Sequence, residues 1–329
     1  MLKILKAVPA KLTLPNLGIG KAVLAKSWPY LAVLVAHIIW GSNFVVAKLT
    51  LQEIPPMSLA FLRFALAILL LSPFLILEKK IKIDKNDLPK LLAIGVLMAV
   101  LNIAFFYFGL ERTTVTSASI LTLIIPLISV LGGWWFLKEK IYVVNLAGII
   151  IGFIGALLVF GIPLIILGIK TSSEAIFGNI LIILASISWV AGAILSKNMA
   201  KKYSTLIITA VVFSVGAIAF LLPALSEFVQ NPKWISQVTY IGVLGVLFIT
   251  IASSISAYFL FEWGLAKIGV IKADLFQYIE PIIAIAMGVL ILSESIDFGF
   301  VIGGALIALG VYWGTVAKEQ HRHHKAHRT

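Results

Sequence analysis

His37, Arg63 and Glu280 stand deep within apolar runs, where charge is costly. A carboxylate at the centre of a bilayer costs about 2.5–3.5 kcal/mol, so one placed there must be paired, protonated or turned towards a wet cavity. Glu280 therefore has the chemistry of a proton-coupling or cargo-binding group, or of a structural carboxyl bonded to a neighbouring helix. An imidazole at the place of His37 relays protons in the physiological range or hydrogen-bonds across helices. Arg63 can answer Glu280, answer a carboxylate on a substrate, or snorkel to the headgroups. Pro281 follows Glu280 and removes a backbone donor, freeing a carbonyl one turn earlier, near Gln277. We read Pro281 and Pro126 as helix hinges.

Uncharged polar and aromatic residues occur at similar depth: Trp40, Asn43, Asn102, Phe106, Thr122, Ser186, Trp189, Ser253, Tyr258, Gln277 and Tyr278. A few polar groups among apolar walls is the composition of a small-molecule pocket, and also of ordinary helix packing. The chain has no cysteine, which excludes disulfides, thiolate chemistry and cysteine-bound metal. No HExxH, GxSxG or nucleotide-binding loop occurs, so we expect no enzyme, no cofactor and no ATP coupling. The histidines between His321 and His327 lack the spacing of a dedicated metal site, and we expect none.

The elements that hold these residues follow from composition. With 61% hydrophobic and 12% charged residues, too little polar sequence remains to cover a soluble domain. A helix needs about 20 apolar residues to cross about 30 Å of hydrocarbon. Such runs occur at Trp28–Leu49, Met57–Leu77, Leu88–Leu110, Val115–Leu137, Val143–Pro163, Ala175–Leu195, Ser204–Leu225, Gln237–Phe261, Ile271–Leu292 and Phe298–Ala317. The expectation is an all-α integral membrane protein of ten transmembrane helices. Glu280 then lies about 13 Å from one face, and Arg63 about 9 Å from the other.

Lysine and arginine set the orientation. With the amino terminus cytoplasmic, 21 basic residues fall on the cytoplasmic side and only Lys48, Arg112, Lys170 and Lys233 on the other. Both termini should be cytoplasmic in a multi-pass protein of the cytoplasmic membrane. The net charge of +12 is thus a topological signal, and no nucleic-acid partner is expected.

The chain also repeats itself. Residues Phe106 to Gly155 lie over Phe261 to Gly310 without a gap, with about 14 of roughly 50 positions identical. Trp40 and Lys48 likewise correspond to Trp189 and Lys197. Five spans per repeat make the halves inverted, a construction used by secondary transporters around a site at the midplane. We expect a cytoplasmic segment over 1–27, repeats over 28–163 and 175–317 around a shared cavity, and a basic cytoplasmic tail over 318–329. Gly148, Gly152, Gly155, Gly303, Gly304 and Gly310 allow close helix approach, either as scaffold or as the face of a homodimer. Glu139 and Glu294 are expected to cap or brace the helix that follows each.

These motifs resemble the EamA family of the drug/metabolite transporter superfamily. Trp40-Gly41-Ser42-Asn43-Phe44 is similar to the family's first-span opening, and Arg63 to its second-span arginine. Tyr107, Ala118, Pro126 and Leu137-Lys138-Glu139 follow its first repeat. Glu280-Pro281 and Leu292-Ser293-Glu294 follow its second. Lys138 and Ser293 stand where the family has glycine, and His37 where a small or apolar residue is usual. The resemblance implies a carrier of small molecules in the lipid bilayer, with amino acids or related compounds, exported, as preferred cargo. Cationic or drug-like compounds, or a non-transporting subunit of the same fold, are the alternatives.

Overall fold

The computed structural model describes residues 18–78, 83–125, 127–128, 131, 143–159, 172–200, 202–268, 275–296 and 298–315. Every regular element among them is helical. We label α1 (Gly18–Leu51), α2 (Pro56–Leu77), α3 (Leu88–Arg112), α4 (Val115–Leu121, continued by a 3-10 turn Thr122–Ile124) and α5 (Val143–Val159). The second half holds α6 (Ser173–Met199), α7 (Thr205–Gln230), α8 (240–268), α9 (Ile279–Leu292, preceded by a 3-10 turn Leu275–Tyr278) and α10 (Phe298–Thr315).

Apolar sequence adopts helices here because hydrocarbon offers backbone groups no other partner. Prolines 56 and 89 fall at the starts of α2 and α3, where a missing donor costs nothing. The side chains of Thr114, Ser172, Ser204 and Thr239 accept from backbone N–H groups at the starts of α4, α6, α7 and α8. Among the described residues, six helices are long and apolar enough to cross a membrane: those of α1, α2, α3, α6, α7 and α8. The other four expected spans are represented by shorter apolar helices, Val115–Ile124, Leu146–Gly155, Ile279–Leu292 and Val301–Gly310.

Packing follows the repeat residue by residue. Gly109 of α3 lies so close to α6 that an added Cβ would sit 2.9 Å from Gly178 O and 3.0 Å from Ile182. Gly264 of α8 meets α1 in the same way, at Pro29 O and Val33. Shifting Gly178 and Ile182 back by 149 positions, the spacing of Trp40 and Trp189, lands on Pro29 and Val33. Each third helix therefore docks on the first helix of the other half. The glycines of α5 and α10 meet each other: a Cβ on Gly155 would sit 2.5 Å from Gly303 O, and one on Gly310 2.5 Å from Gly148 O. These glycines are used within the chain, so they do not form a free dimer face.

Carboxylates hold the end of the bundle where α1, α3 and α7 finish, the distal end. Glu227 of α7 accepts from the N–H groups of Met57 (3.1 Å) and Ser58 (2.7 Å) and from Ser58 Oγ at the start of α2. Glu294 accepts from Val115 N (2.7 Å) and Thr116 N (2.9 Å) at the start of α4. It braces a helix of the other half, not the helix that follows it. Glu53 accepts from Thr239 N and Oγ1 ahead of α8, both at 2.7 Å. Conversely, Lys48 Nζ donates to the carbonyls of Leu110, Glu111 and Thr113 where α3 ends. Anions at helix starts and a cation at a helix end satisfy unpaired backbone groups and oppose the helix dipole. Ser293, ahead of Glu294, takes φ 54°, the left-handed conformation that favours glycine.

At the opposite, proximal end, Lys202 Nζ donates to Asp84 (3.0 Å) and Asp87 (2.6 Å), and Tyr203 OH donates to Asp87 (2.8 Å). Hydrogen bonds from Asn86 N and Lys202 hold the Asp84 carboxyl below its ordinary value. Those from Lys202 and Tyr203 do the same for Asp87. The two aspartates hold the Lys202 ammonium above its usual value. The depressed carboxylates contribute stability above about pH 4 that is lost as pH falls through their lowered pKa values; the raised ammonium contributes below about pH 10. Asp84→Asn with Asp87→Asn should lower the unfolding temperature at neutral pH and flatten its fall in acid. Acid limbs that coincide with wild type would show that the cluster does not act.

Candidate functional site

Two of the residues singled out by their chemistry, His37 and Glu280, meet where α1 and α9 pack beside α8. Gly41 lets α9 approach α1: a Cβ there would stand 2.8 Å from Glu280 O and 3.1 Å from its Cα. One turn earlier on the same face, His37 Nδ1 lies 2.7 Å from Glu280 Oε1. The pair joins the two halves and is buried, with His37 3% and Glu280 8% exposed. An ionised carboxylate only accepts, so Nδ1 then carries the proton and Nε2 is the acceptor nitrogen. That Nε2 is buried without a hydrogen-bond partner, as is Asn43 Oδ1. The charge-assisted bond offsets part of the cost of burying the carboxylate.

Aromatic rings enclose the imidazole. Trp40 and Phe261 meet it edge-on at 5.4 and 5.5 Å between centroids. Tyr258 links the matched tryptophans, lying 6.1 Å from Trp40 and 6.1 Å from Trp189. Phe44 and Phe106 form a further pair at 5.4 Å.

Irregular helix supplies the polar contacts. α3 is π-helical over Val96–Leu101 and α8 over Phe248–Ser256. The shift of 155 positions carries residues 96–101 onto 251–256, so the segments correspond between halves. Wider i→i+5 turns leave carbonyls out of register, available to neighbours. Trp40 Nε1 donates to Ser253 O (3.1 Å) in one segment, and Ser188 Oγ donates to Leu97 O (2.7 Å) in the other. Asn102 Nδ2 reaches from α3 to Ala185 O (2.9 Å). Arg63 donates to Ser254 Oγ (2.7 Å) and Tyr107 OH (3.4 Å), tying α2 to α8 and α3. Its partners are thus neutral hydroxyls.

The scaffold is two-fold while the ionisable pair occurs once. His37 and Gly41 correspond to Ser186 and Val190 in the second half, and Glu280 to Ile125 in the first. Gln277 lies in the 3-10 turn before α9 and is half-buried. Pro281 stands in the first turn of α9, and the change of helical pitch falls just before it, at residues 275–278. Pro126 and the side chain of Tyr278 lie outside the described residues, as do Glu139, Asp274 and the side chain of Glu262. Ser254, Tyr107 and Phe261 escaped the sequence reading as site residues. The adjacent serines 253 and 254 inside an apolar helix were the available signal. Two apolar recesses, of about 550 and 290 Å³, lie between α1 and α8 and among α2, α3 and α7. Neither of these two recesses is lined by His37 or Glu280.

Residues 27–161 and 176–315 each match the EamA-like transporter family. An uncharacterized transporter of Archaeoglobus fulgidus is 29% identical over 88% of this chain and 98% of its own length. The uncharacterized transporter YoaV of Bacillus subtilis is 26% identical over 87% and 96%. A WAT1-related protein of Arabidopsis thaliana, At4g08290, is 27% identical over 89% and 84%. A solved crystal structure superposes with a TM-score of 0.58 at 18% identity, covering 88% of this chain and 98% of that one, and shares the fold.

Proposed function

From the premise that the chain belongs to the EamA-like transporter family and is a multi-pass membrane transporter, not an enzyme, we propose a secondary carrier working by alternating access. It exports small metabolites, amino acids and related compounds foremost, across the cytoplasmic membrane. Ten spans in two inverted repeats, 28–163 and 175–317, form it, with both termini cytoplasmic. The buried His37–Glu280 pair carries the reading: an ionisable bond between the two halves, at one depth with Trp40, Tyr258 and Phe261. Imidazole and carboxylate are both proton-transfer groups, and to this pair we assign coupling. Asn43, Asn102, Phe106, Trp189, Gln277 and Tyr278 make up the surrounding wall. Arg63, held by Ser254 and Tyr107, positions α2 against α8. An organic cation is the second cargo reading, favoured by rings beside a carboxylate while the arginine is engaged.

Counterflow in proteoliposomes tests the function. Labelled amino acid should enter saturably and faster when unlabelled substrate is loaded inside. Ohmic, unsaturable flux, or no flux with amino acids and amines, would overturn it. Orientation is read separately in a chain with no cysteine of its own. Ser295→Cys should be labelled from outside intact cells and Ser204→Cys should not; the reverse pattern inverts the topology.

A further inference from the structure

The ends of α2 and α7 are related by the repeat, but only at the distal end does a carboxylate of one helix bind the start of the other. Pro56 and Thr205 begin the two helices, Glu78 caps the end of α2 and Glu227 stands in the last turn of α7, each pair 149 positions apart. Near the middle the helices cross through Phe64 and Phe213, themselves a matched pair, 5.7 Å between centroids. At the distal end Glu227 takes both N–H groups and the hydroxyl offered by Met57 and Ser58.

The residues that correspond to Met57 and Ser58 are Leu206 and Ile207, and their natural acceptor is Glu78. Among the described residues, Glu78 makes no side-chain hydrogen bond; only its backbone N–H is engaged, at Leu75 O. The N–H of Ile207 has just a long bond to Ser204 Oγ, 3.4 Å. The 290 Å³ recess opens beside them, lined by Leu75, three residues before Glu78, and by Ile207 and Ala210 at the start of α7. The acceptor, the donors and a gap to be closed are all present at the proximal end.

We infer that Glu78 is a positioning residue for transport: in the conformation closed at the proximal end its carboxylate binds the Leu206 and Ile207 N–H groups, as Glu227 binds those of Met57 and Ser58 in the conformation seen here. α2 and α7 then work as a scissor, with Phe64 and Phe213 at the crossing and one glutamate closing each end in turn. The Lys202–Asp84 bond does not distinguish the states. It corresponds by position to the Glu53–Thr239 bond, and both are made together. The chemistry is the same at both ends, because a carboxylate at a helix start replaces the partners that the first N–H groups lack. This inference rests on the alternating-access reading above.

A distance measurement separates the two. Ile76→Cys and Thr205→Cys place spin labels on exposed positions at the proximal ends of α2 and α7, in a full-length chain otherwise free of cysteine. Glu227→Gln removes the charge from the distal clamp. It should shift the ratio of short to long proximal distances by about tenfold towards the short population. Adding Glu78→Gln should reverse that shift, and alone it should slow counterflow while leaving substrate-induced thermal stabilisation unchanged. If Glu227→Gln shortens the distance and Glu78→Gln does not reverse it, the alternation stands and Glu78 has no part in it. If Glu227→Gln leaves the distances unchanged, the ends are not coupled, and the scissor is overturned together with alternating access at these helices.

Discussion

Glu280→Gln should reduce transport to background, at least about tenfold, in protein that still folds and inserts. The amide keeps the shape of the side chain, and its oxygen can accept from His37 Nδ1 across the same 2.7 Å. What disappears is the negative charge and the ability to gain and lose a proton. His37→Ala acts on the same bond differently, because it leaves a carboxylate that is 8% exposed without its partner. Breaking a buried pair from one side costs about 3–5 kcal/mol, whereas removing both charges costs much less. His37→Ala with Glu280→Gln should therefore unfold at a higher temperature than His37→Ala alone. Counterflow between pH 5.5 and 8 and thermal unfolding in detergent measure the two effects. Full transport by Glu280→Gln across that range removes the carboxylate from the mechanism. Additive losses of stability would mean that the two side chains act independently.

The sequence made the constituents of this site legible and left their arrangement hidden. An ionisable residue in an apolar run is visible at once, and so His37, Arg63 and Glu280 stood out singly. That His37 and Glu280 are partners is a contact across 243 positions, and helical periodicity carries no trace of it. Arg63 had Glu280 as an obvious partner by charge. It bonds instead to Ser254 and Tyr107, because the π-helical turn of α8 presents the serine hydroxyl to it. Such turns depend on i→i+5 geometry that residue types do not specify. The repeat was readable at a shift of 155 positions, and the docking of Gly109 and Gly264 on opposite first helices follows it. Glu53 and Glu227 were not legible as helix caps. Each sits at the end of one helix and serves the start of another more than 160 positions away, so no local capping pattern marks it. The glycines of α5 and α10 announced close packing correctly, but small residues cannot say whether the partner lies in the same chain.

Gly41 carries the second large prediction, since its absent side chain makes the His37–Glu280 bond possible. An alanine Cβ at this place would lie 2.8 Å from Glu280 O and 3.0 Å from Ile283 Cβ. The first obstacle is backbone, which cannot rotate aside, so α1 and α9 must separate. A shift of several tenths of an ångström is enough to stretch a 2.7 Å bond made one turn away on the same face. Overpacking of this kind costs about 1–3 kcal/mol. Gly41→Ala should accordingly lower the unfolding temperature and reduce transport about tenfold, and a larger residue should do more. Gly304 provides the control. A Cβ there would sit 2.6 Å from Ile120 Cδ1, the far end of a side chain that can move, and its next neighbours are 3.9 Å away. Gly304→Ala should keep most of its transport and stability. Equal losses from the two substitutions would trace the effect to general crowding between helices. A loss confined to Gly41, and no further loss when Glu280→Gln is added, would assign it to the broken pair.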